Sequence, residues 1–422
     1  MEFSKSRRRS LMGLAAGLTS VYALPSRTFA DDKKPITIGG AIAQTGPLAA
    51  GGKSALLSLQ LWQDDINSQG GLLGRPVKLV IYDDQGVPAN EPQIYTKLME
   101  VDRVDLLISP YGTNPTAAVL RLLQQRKRLV ISNFAFAANN KIKYDRYFQI
   151  APWGGDTDGW VGAFINPGLE LGAKKLAILA ANTEFSQTLA DGARKMAKEK
   201  GLEIVYDQSY PASTVDFSSM LPAMNAKSPD LVFVASYPSD SAAIVRAVHE
   251  IGVADSVQMI GGAMIGLQYA SLMTSLGPSL NGFVNNANYV PSSTLKFAGV
   301  KDFFERYGKA ATEQDIDPLG YWLAPFNYAI GQVFAQAVTE TGGLDDEKLA
   351  QYLHTHTLHT IVGDINFTKI GEWAKPRVFE MQFQGIDGNG IDQFRDPKKQ
   401  IIFYPQDFKS GDLRAPFNQA WK

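Results

Sequence analysis

Four groups of residues in this chain have types that could do chemistry, and spacing argues against three of them. His354, His356 and His359 cluster in HTHTLH. Zinc needs ligands that converge on one point within a polar surround. On a helix His354 and His356 point to different sides and only His356 and His359 share one, so the cluster reads as a solvated helix end. Acid pairs stand at Asp64-Asp65, Asp83-Asp84 and Asp345-Asp346. General acid–base work needs two carboxylates in different environments facing one pocket. Neighbours on a strand face opposite ways, so these pairs read as charges at turns and strand ends. Gly46 to Ser54 offers glycines and then Gly52-Lys53-Ser54. A phosphate loop needs four residues between its first glycine and the Gly-Lys pair, so that successive amides ring the phosphates. Here five intervene. No serine-centred nucleophile elbow occurs. The expectation is a chain without catalytic residues, metal or cofactor.

The fourth group is a set of loops after strands: Gln44–Gly52, Tyr111–Pro115 and Asn133–Ala138. In Tyr111-Gly112-Thr113-Asn114-Pro115-Thr116 a Thr or Asn stands at a helix cap and Pro at the first helical position. Free amides at such a helix start suit a carboxylate or another acceptor.

The elements that must hold these loops are a strand and a helix in alternation. Ile36 to Ala43 is a short apolar run without helical spacing, which predicts a buried strand. Thr45-Gly46-Pro47 breaks it, and Leu56, Leu57, Leu59, Leu61, Trp62 and Ile66 then stripe an amphipathic helix. Strands follow at Val77–Asp84, Asp105–Tyr111, Leu129–Phe134 and Tyr147–Pro152, with helices at Pro92–Asp102 and Pro115–Arg126 between them. After Ala151-Pro152-Trp153-Gly154-Gly155 the pattern restarts. Strands are expected at Lys175–Ala181, Glu203–Tyr210, Leu231–Tyr237 and Val257–Gly261, and helices at Thr157–Leu171, Gln187–Lys200, Phe217–Ala226 and Ser239–Ile251. Such alternation means parallel sheets flanked by helices, an α/β class. Ligands bind such sheets outside the carboxyl ends of the strands, where the three loops lie.

At 422 residues two domains are expected. A net charge of -1 favours neither nucleic acid nor an anionic membrane surface. The absence of cysteine removes disulfides, thiolate metal sites and thiol nucleophiles. Residues 1–30 read as an export signal: Arg7-Arg8-Arg9-Ser10-Leu11, a short apolar run to Leu24, then Thr28-Phe29-Ala30. The arginines with Leu11 resemble a twin-arginine signal.

Across nearly all of Pro35–Gln384 the sequence resembles periplasmic solute-binding proteins for branched-chain amino acids, amides and related compounds. TGPLAAGG, DINSQGGLLGRPVKLVIYDDQGVPA, LLISPYGTNPTAAVL and GLEIVYDQSYPASTVDFSSMLPAMNAKSPDLVFVASYPSDSAAIVRAVHEIGV carry the likeness in order. The resemblance implies a type I periplasmic binding fold: two α/β lobes, three crossover strands and a ligand enclosed between them. It places the first lobe at 35–152 plus 283–362, the second at 153–282 plus 363–395, and an extension at 396–422. It also implies a periplasmic monomer that hands its small molecule to a membrane ABC permease.

The family's contacts fall here on Thr113, flanked by Tyr111 and Asn114, and on the loop with Ala135 and Phe136. In the second lobe they fall on Phe185 and Tyr237 and at or near Ala263, with Trp153 as a further wall. Phe136 stands where the family has a threonine. Ala263 stands where it has the acid that pairs with a ligand ammonium. A buried ammonium without a partner costs several kcal/mol, roughly. The expected ligand is therefore a small apolar or aromatic carboxylate, held by Thr113 and the amides beside Ala135. The alternatives are an amino acid or short amide, with Glu184 or Asp240 supplying the acid, and a ligand-sensing partner of a membrane receptor.

Overall fold

The computed structural model describes residues 34–421, so the expected export signal lies outside the described residues. β1 (Ile36–Ala41), β2 (Val77–Tyr82), β3 (Leu106–Tyr111), β4 (Val130–Asn133) and β5 (Tyr147–Gln149) form a parallel sheet in the order β2-β1-β3-β4-β5. They are joined by α1 (Ala49–Ser68), α2 (Glu91–Glu100) and α3 (Thr113–Gln125). Side chains alternate across the sheet, as a period of two requires. Ile36, Ile38, Ile108 and Ile131 pack with Leu57, Leu59 and Trp62 of α1. Ala41, Leu107 and Val130 pack with Tyr95, Leu98, Val119 and Leu120 of α2 and α3.

The second sheet repeats this construction. α4 (Asp158–Glu170), β6 (Lys175–Ala181), α5 (Glu184–Lys200), β7 (Glu203–Tyr210), α6 (Met220–Asn225), β8 (Leu231–Ser236), α7 (Pro238–Ile251), β9 (Met259–Met264), α8 (Ala270–Leu276) and β10 (Val284–Ala287) follow in turn. Then come α9 (Val300–Glu313), α10 (Ala324–Thr341), α11 (Asp346–Thr355), the hairpin of β11 (Leu358–Thr360) and β12 (Gly363–Ile365), β13 (Phe379–Phe383), β14 (Gln400–Tyr404) and α12 (Phe417–Ala420). The sheet order is β14-β13-β10-β9-β8-β6-β7. β13 and β14 are antiparallel to their neighbours, the rest parallel.

β10 was expected with the first lobe but pairs with β9 and β13 in the second sheet. Its Asn285 explains the placement: Oδ1 accepts the Met264 N–H at 2.8 Å and Nδ2 donates to the Met264 carbonyl at 3.1 Å. β14 likewise seals the edge of that sheet rather than leaving it as an extension. The chain passes between the sheets after β5, after β10 and after β12. Two backbone bonds tie the first and third passages, Arg377 N–H to the Pro152 carbonyl at 2.6 Å and Gln149 N–H to the Gly371 carbonyl at 2.7 Å. The Arg377 guanidinium lies 4.3 Å from the centre of the Phe297 ring, in the second passage.

Candidate ligand-binding cleft

A cavity of 620 Å³ opens between the two sheets, and residues from both line it. Four helices begin at its wall. Pro47 and Leu48 precede α1, Gly112 precedes α3, Thr183 precedes α5 and Tyr237 precedes α7. Each helix start carries unpaired amides and the positive end of the helix dipole. Not one lining residue bears a charge. The cleft is therefore uncharged in its side chains and electropositive in its backbone.

Local sequence produces these starts. Gly112 turns β3 directly into α3 with φ at +102°, a conformation closed to side chains. The Thr113 hydroxyl accepts the Phe136 N–H at 3.0 Å, and the Thr183 hydroxyl caps α5 by accepting the Ser186 N–H at 3.3 Å. Both oxygens are occupied as acceptors, which leaves their protons to donate. Asn114 Oδ1, an acceptor, is buried without a partner among the described residues.

The floor is aromatic. Trp153 and Trp322 stack with centroids 5.6 Å apart and planes 29° from parallel. Phe134 meets Trp153, Trp322 and Phe326 edge-on at 5.1, 5.3 and 5.3 Å. Phe134 holds a left-handed φ of +62°, a conformation that costs a bulky residue about 1–3 kcal/mol and gathers at functional positions. The three ring contacts offset it. Trp153 is fixed by its indole N–H, 2.8 Å from Asn288 Oδ1, and Trp322 by its N–H, 3.0 Å from the Tyr111 hydroxyl. Tyr111 also meets the Tyr269 hydroxyl at 2.8 Å, across the cleft. Burial raises the pKa of both tyrosines, so they stay neutral.

Of the residues expected from sequence, Tyr111, Thr113, Asn114, Trp153, Phe185 and Tyr237 line the cavity. Ala135, Phe136 and Ala263 do not. Phe136 is 1% exposed and lies behind the wall, edge-on to Trp153, Trp160 and Phe185. Its amide, expected to hold a carboxylate, already serves Thr113. Ala135 is fully buried and its carbonyl accepts from Tyr147 and Gln149. Ala263 is inside β9, and the segment reaches the cavity two residues later at Ile265. The loop Gln44–Gly52, expected as a ligand wall, reaches the cavity through Pro47 and Leu48, whereas sequence reasoning missed Trp322 and Thr183. Only Thr183 left a signal, as a Thr ahead of a helix. The alternative acids are elsewhere. Glu184 is exposed and not part of the wall. Asp240 caps α7 by accepting the Tyr237 N–H at 2.8 Å and takes the Tyr210 hydroxyl at 2.9 Å; burial pushes its pKa up to about 6.

The histidines are spread over separate contacts. His354 bonds the Thr368 and Asp145 carbonyls and His359 bonds Asp364, and among the described residues no group of three or more His, Cys, Asp or Glu could hold an ion.

Residues 35–384 match the periplasmic binding protein family. An amino acid binding protein of Pseudomonas aeruginosa is 23% identical over 367 residues, 85% of this chain and 92% of its own. The substrate-binding protein LivJ of Streptococcus pneumoniae, solved with isoleucine, superposes with a TM-score of 0.69 at 22% identity, over 84% of this chain and 97% of its own. A solute-binding protein of R. palustris, solved with benzoate, gives 0.70 at 17% identity, over 87% and 95%. These neighbours share the two-lobed fold with its cleft between the sheets, and with the match over most of its length this chain belongs to the periplasmic binding protein family.

Proposed function

We propose that the protein is the periplasmic solute-binding component of an ABC importer and encloses a small apolar or aromatic carboxylate between its lobes. The lobes would be residues 35–152 with 288–365, and 153–287 with the remainder, since β10 pairs in the second sheet. The carrying observation is a cleft lined by no charged side chain, where four helix starts present amides and hydroxyls and two indole rings line the floor. Helix starts attract anions, and aromatic faces take up apolar rings. The protons of Thr113 and Thr183 are the side-chain groups that would hold the carboxylate. The benzoate bound by the R. palustris protein supports this reading.

The names of other relatives favour an amino acid. An α-ammonium in this cleft would face helix starts of like sign and find no carboxylate, a loss of several kcal/mol, roughly. Ligand binding would draw the lobes together by differential contact in the closed state. That closed form would be presented to the permease, with export of the chain preceding it.

A thermal-shift panel of the protein from Asp31, with leucine, short amides, benzoate and cinnamate, tests the assignment. An aromatic acid at about 100 times its Kd should add about 2.7 kcal/mol of stability, and leucine should add nothing. Stabilisation by leucine alone would overturn the carboxylate assignment.

A further inference from the structure

One of the four helix starts around the cleft differs from the others in charge. α1 and α3 have no acid in their first turns, and α5 has Glu184, which is exposed to solvent. α7 has Asp240, fully buried and one residue beyond the cleft-lining run Tyr237, Pro238 and Ser239. Its Oδ1 accepts the Tyr237 N–H at 2.8 Å and its Oδ2 accepts the Tyr210 hydroxyl at 2.9 Å. Burial raises its pKa to about 6 against the pull of these donors, which leaves it ionised at neutral pH.

Among the described residues no cation acts on that charge. The tyrosines beside it, Tyr210 and Tyr237, are neutral, their own ionisation pushed up by burial. A helix start is worth about +0.5 of an elementary charge, so the start of α7 together with Asp240 is net negative. A buried charge is screened far less than an exposed one, and the cleft lining has no charged side chain to oppose its field. Asp317, by contrast, accepts the N–H groups of Ala270, Leu319 and Gly320 at 2.8, 2.9 and 3.1 Å, and neither it nor its chain neighbours line the cleft.

Resting on the carboxylate assignment above, we propose that Asp240 determines the charge specificity of the cleft: its carboxylate turns the α7 side against anions, so that an acid with one carboxylate is admitted and an acid with two is excluded. The single carboxylate stays with Thr113 and Thr183. The uncharged end of the ligand takes the α7 side, against Tyr237 and Ile265.

Calorimetric titration of the same protein with benzoate, 4-carbamoylbenzoate and terephthalate tests this. The last two share nearly one shape and differ by one charge. The parent should bind 4-carbamoylbenzoate about tenfold or more tightly than terephthalate. Asp240→Asn keeps an acceptor for the Tyr237 N–H, and the Tyr210 hydroxyl can turn to accept from the new amide. In this variant the gap should narrow about tenfold, whereas a merely structural loss would weaken both ligands alike. Tyr210→Phe strips one donor from the carboxylate and so favours its proton; it should narrow the gap in the same direction and by less, which decides the matter if Asp240→Asn does not fold. Equal affinity of the parent for the two ligands overturns the exclusion and leaves the carboxylate assignment standing. A gap unmoved by the variants overturns the role of Asp240. If benzoate binds and neither larger acid does, a rise of about threefold in benzoate affinity in Asp240→Asn supports the inference and an unchanged affinity overturns it. Binding of leucine with none of the acids overturns the carboxylate assignment and this inference with it.

Discussion

Phe134 carries an unfavourable backbone angle in order to set one ring against three others, and a second residue under strain lies close to the rim of the same cleft. Glu91 is fully buried, and its carboxyl oxygens face no donor among the described residues. Its neighbour is Asp84, whose Oδ2 is equally bare. Burial and the Asp84 charge push Glu91 up to about 9 from 4.5. A carboxyl whose folded pKa is raised binds its proton more tightly folded than unfolded. Its stabilising contribution is complete below the unfolded value and is lost as pH rises through the folded one. Glu91→Gln keeps a neutral group that can donate to Asp84. Calorimetric melting should therefore find the variant less sensitive to pH between about 5 and 9, and more stable than the parent at the alkaline end. Parallel melting curves across that range would refute the raised pKa of folded Glu91. At this scale the sequence was legible where chain order decides and illegible where packing does. Thr113 and Asn114 follow from standing at a helix start, and Tyr237 from the family resemblance. Trp322 reaches the cleft through tertiary packing that no local spacing announces. Phe136 is withdrawn from the cleft because Trp153 fills the wall in front of it.

Among elements, α1 and α10 make the closest helix contact with a readable cause. A methyl group at Gly331 of α10 would come within 2.0 Å of the Trp62 ring on α1. Gly331→Ala should cost about 1–3 kcal/mol by overpacking, seen as a lower melting temperature. Trp62→Leu in the same chain should recover part of the loss, because the two positions share one space. Full additivity of the two losses would mean that the helices do not pack as described. The strands and long helices were readable from apolar runs and stripes, since burial on both faces of a parallel sheet leaves a continuous apolar signature. α8 was not, being seven residues long. The sheet that β10 joins was not readable, because its partner is set by the two asparagine bonds to Met264 and not by its own pattern.

For the whole molecule, one apolar core runs from the α1 face of the first sheet, through Phe134, Phe136, Trp153 and Trp322, to the α4 and α5 face of the second. Lobe movement must therefore shear an aromatic seam as well as bend the three passages. The hydroxyl bond between Tyr111 and Tyr269 is the polar fastening beside that seam. Tyr269→Phe keeps the ring and removes the bond. Small-angle scattering of the ligand-free variant should give a larger radius of gyration than the parent, and bound ligand should dissociate faster. Identical scattering would show that the bond does not hold the lobes. The two-sheet plan was visible in the strand–helix pattern restarting after Pro152, whereas the number of passages came from family resemblance, because periodicity says nothing about which sheet a strand joins. The seam has an optical consequence as well. Three of the six tryptophans, Trp153, Trp160 and Trp322, lie with ring centres 4.7, 5.6 and 6.5 Å apart. Indoles this close exchange excitation, so a quencher resting on one darkens its neighbours, and the protein's own ultraviolet emission should report occupancy of the cleft without any attached dye.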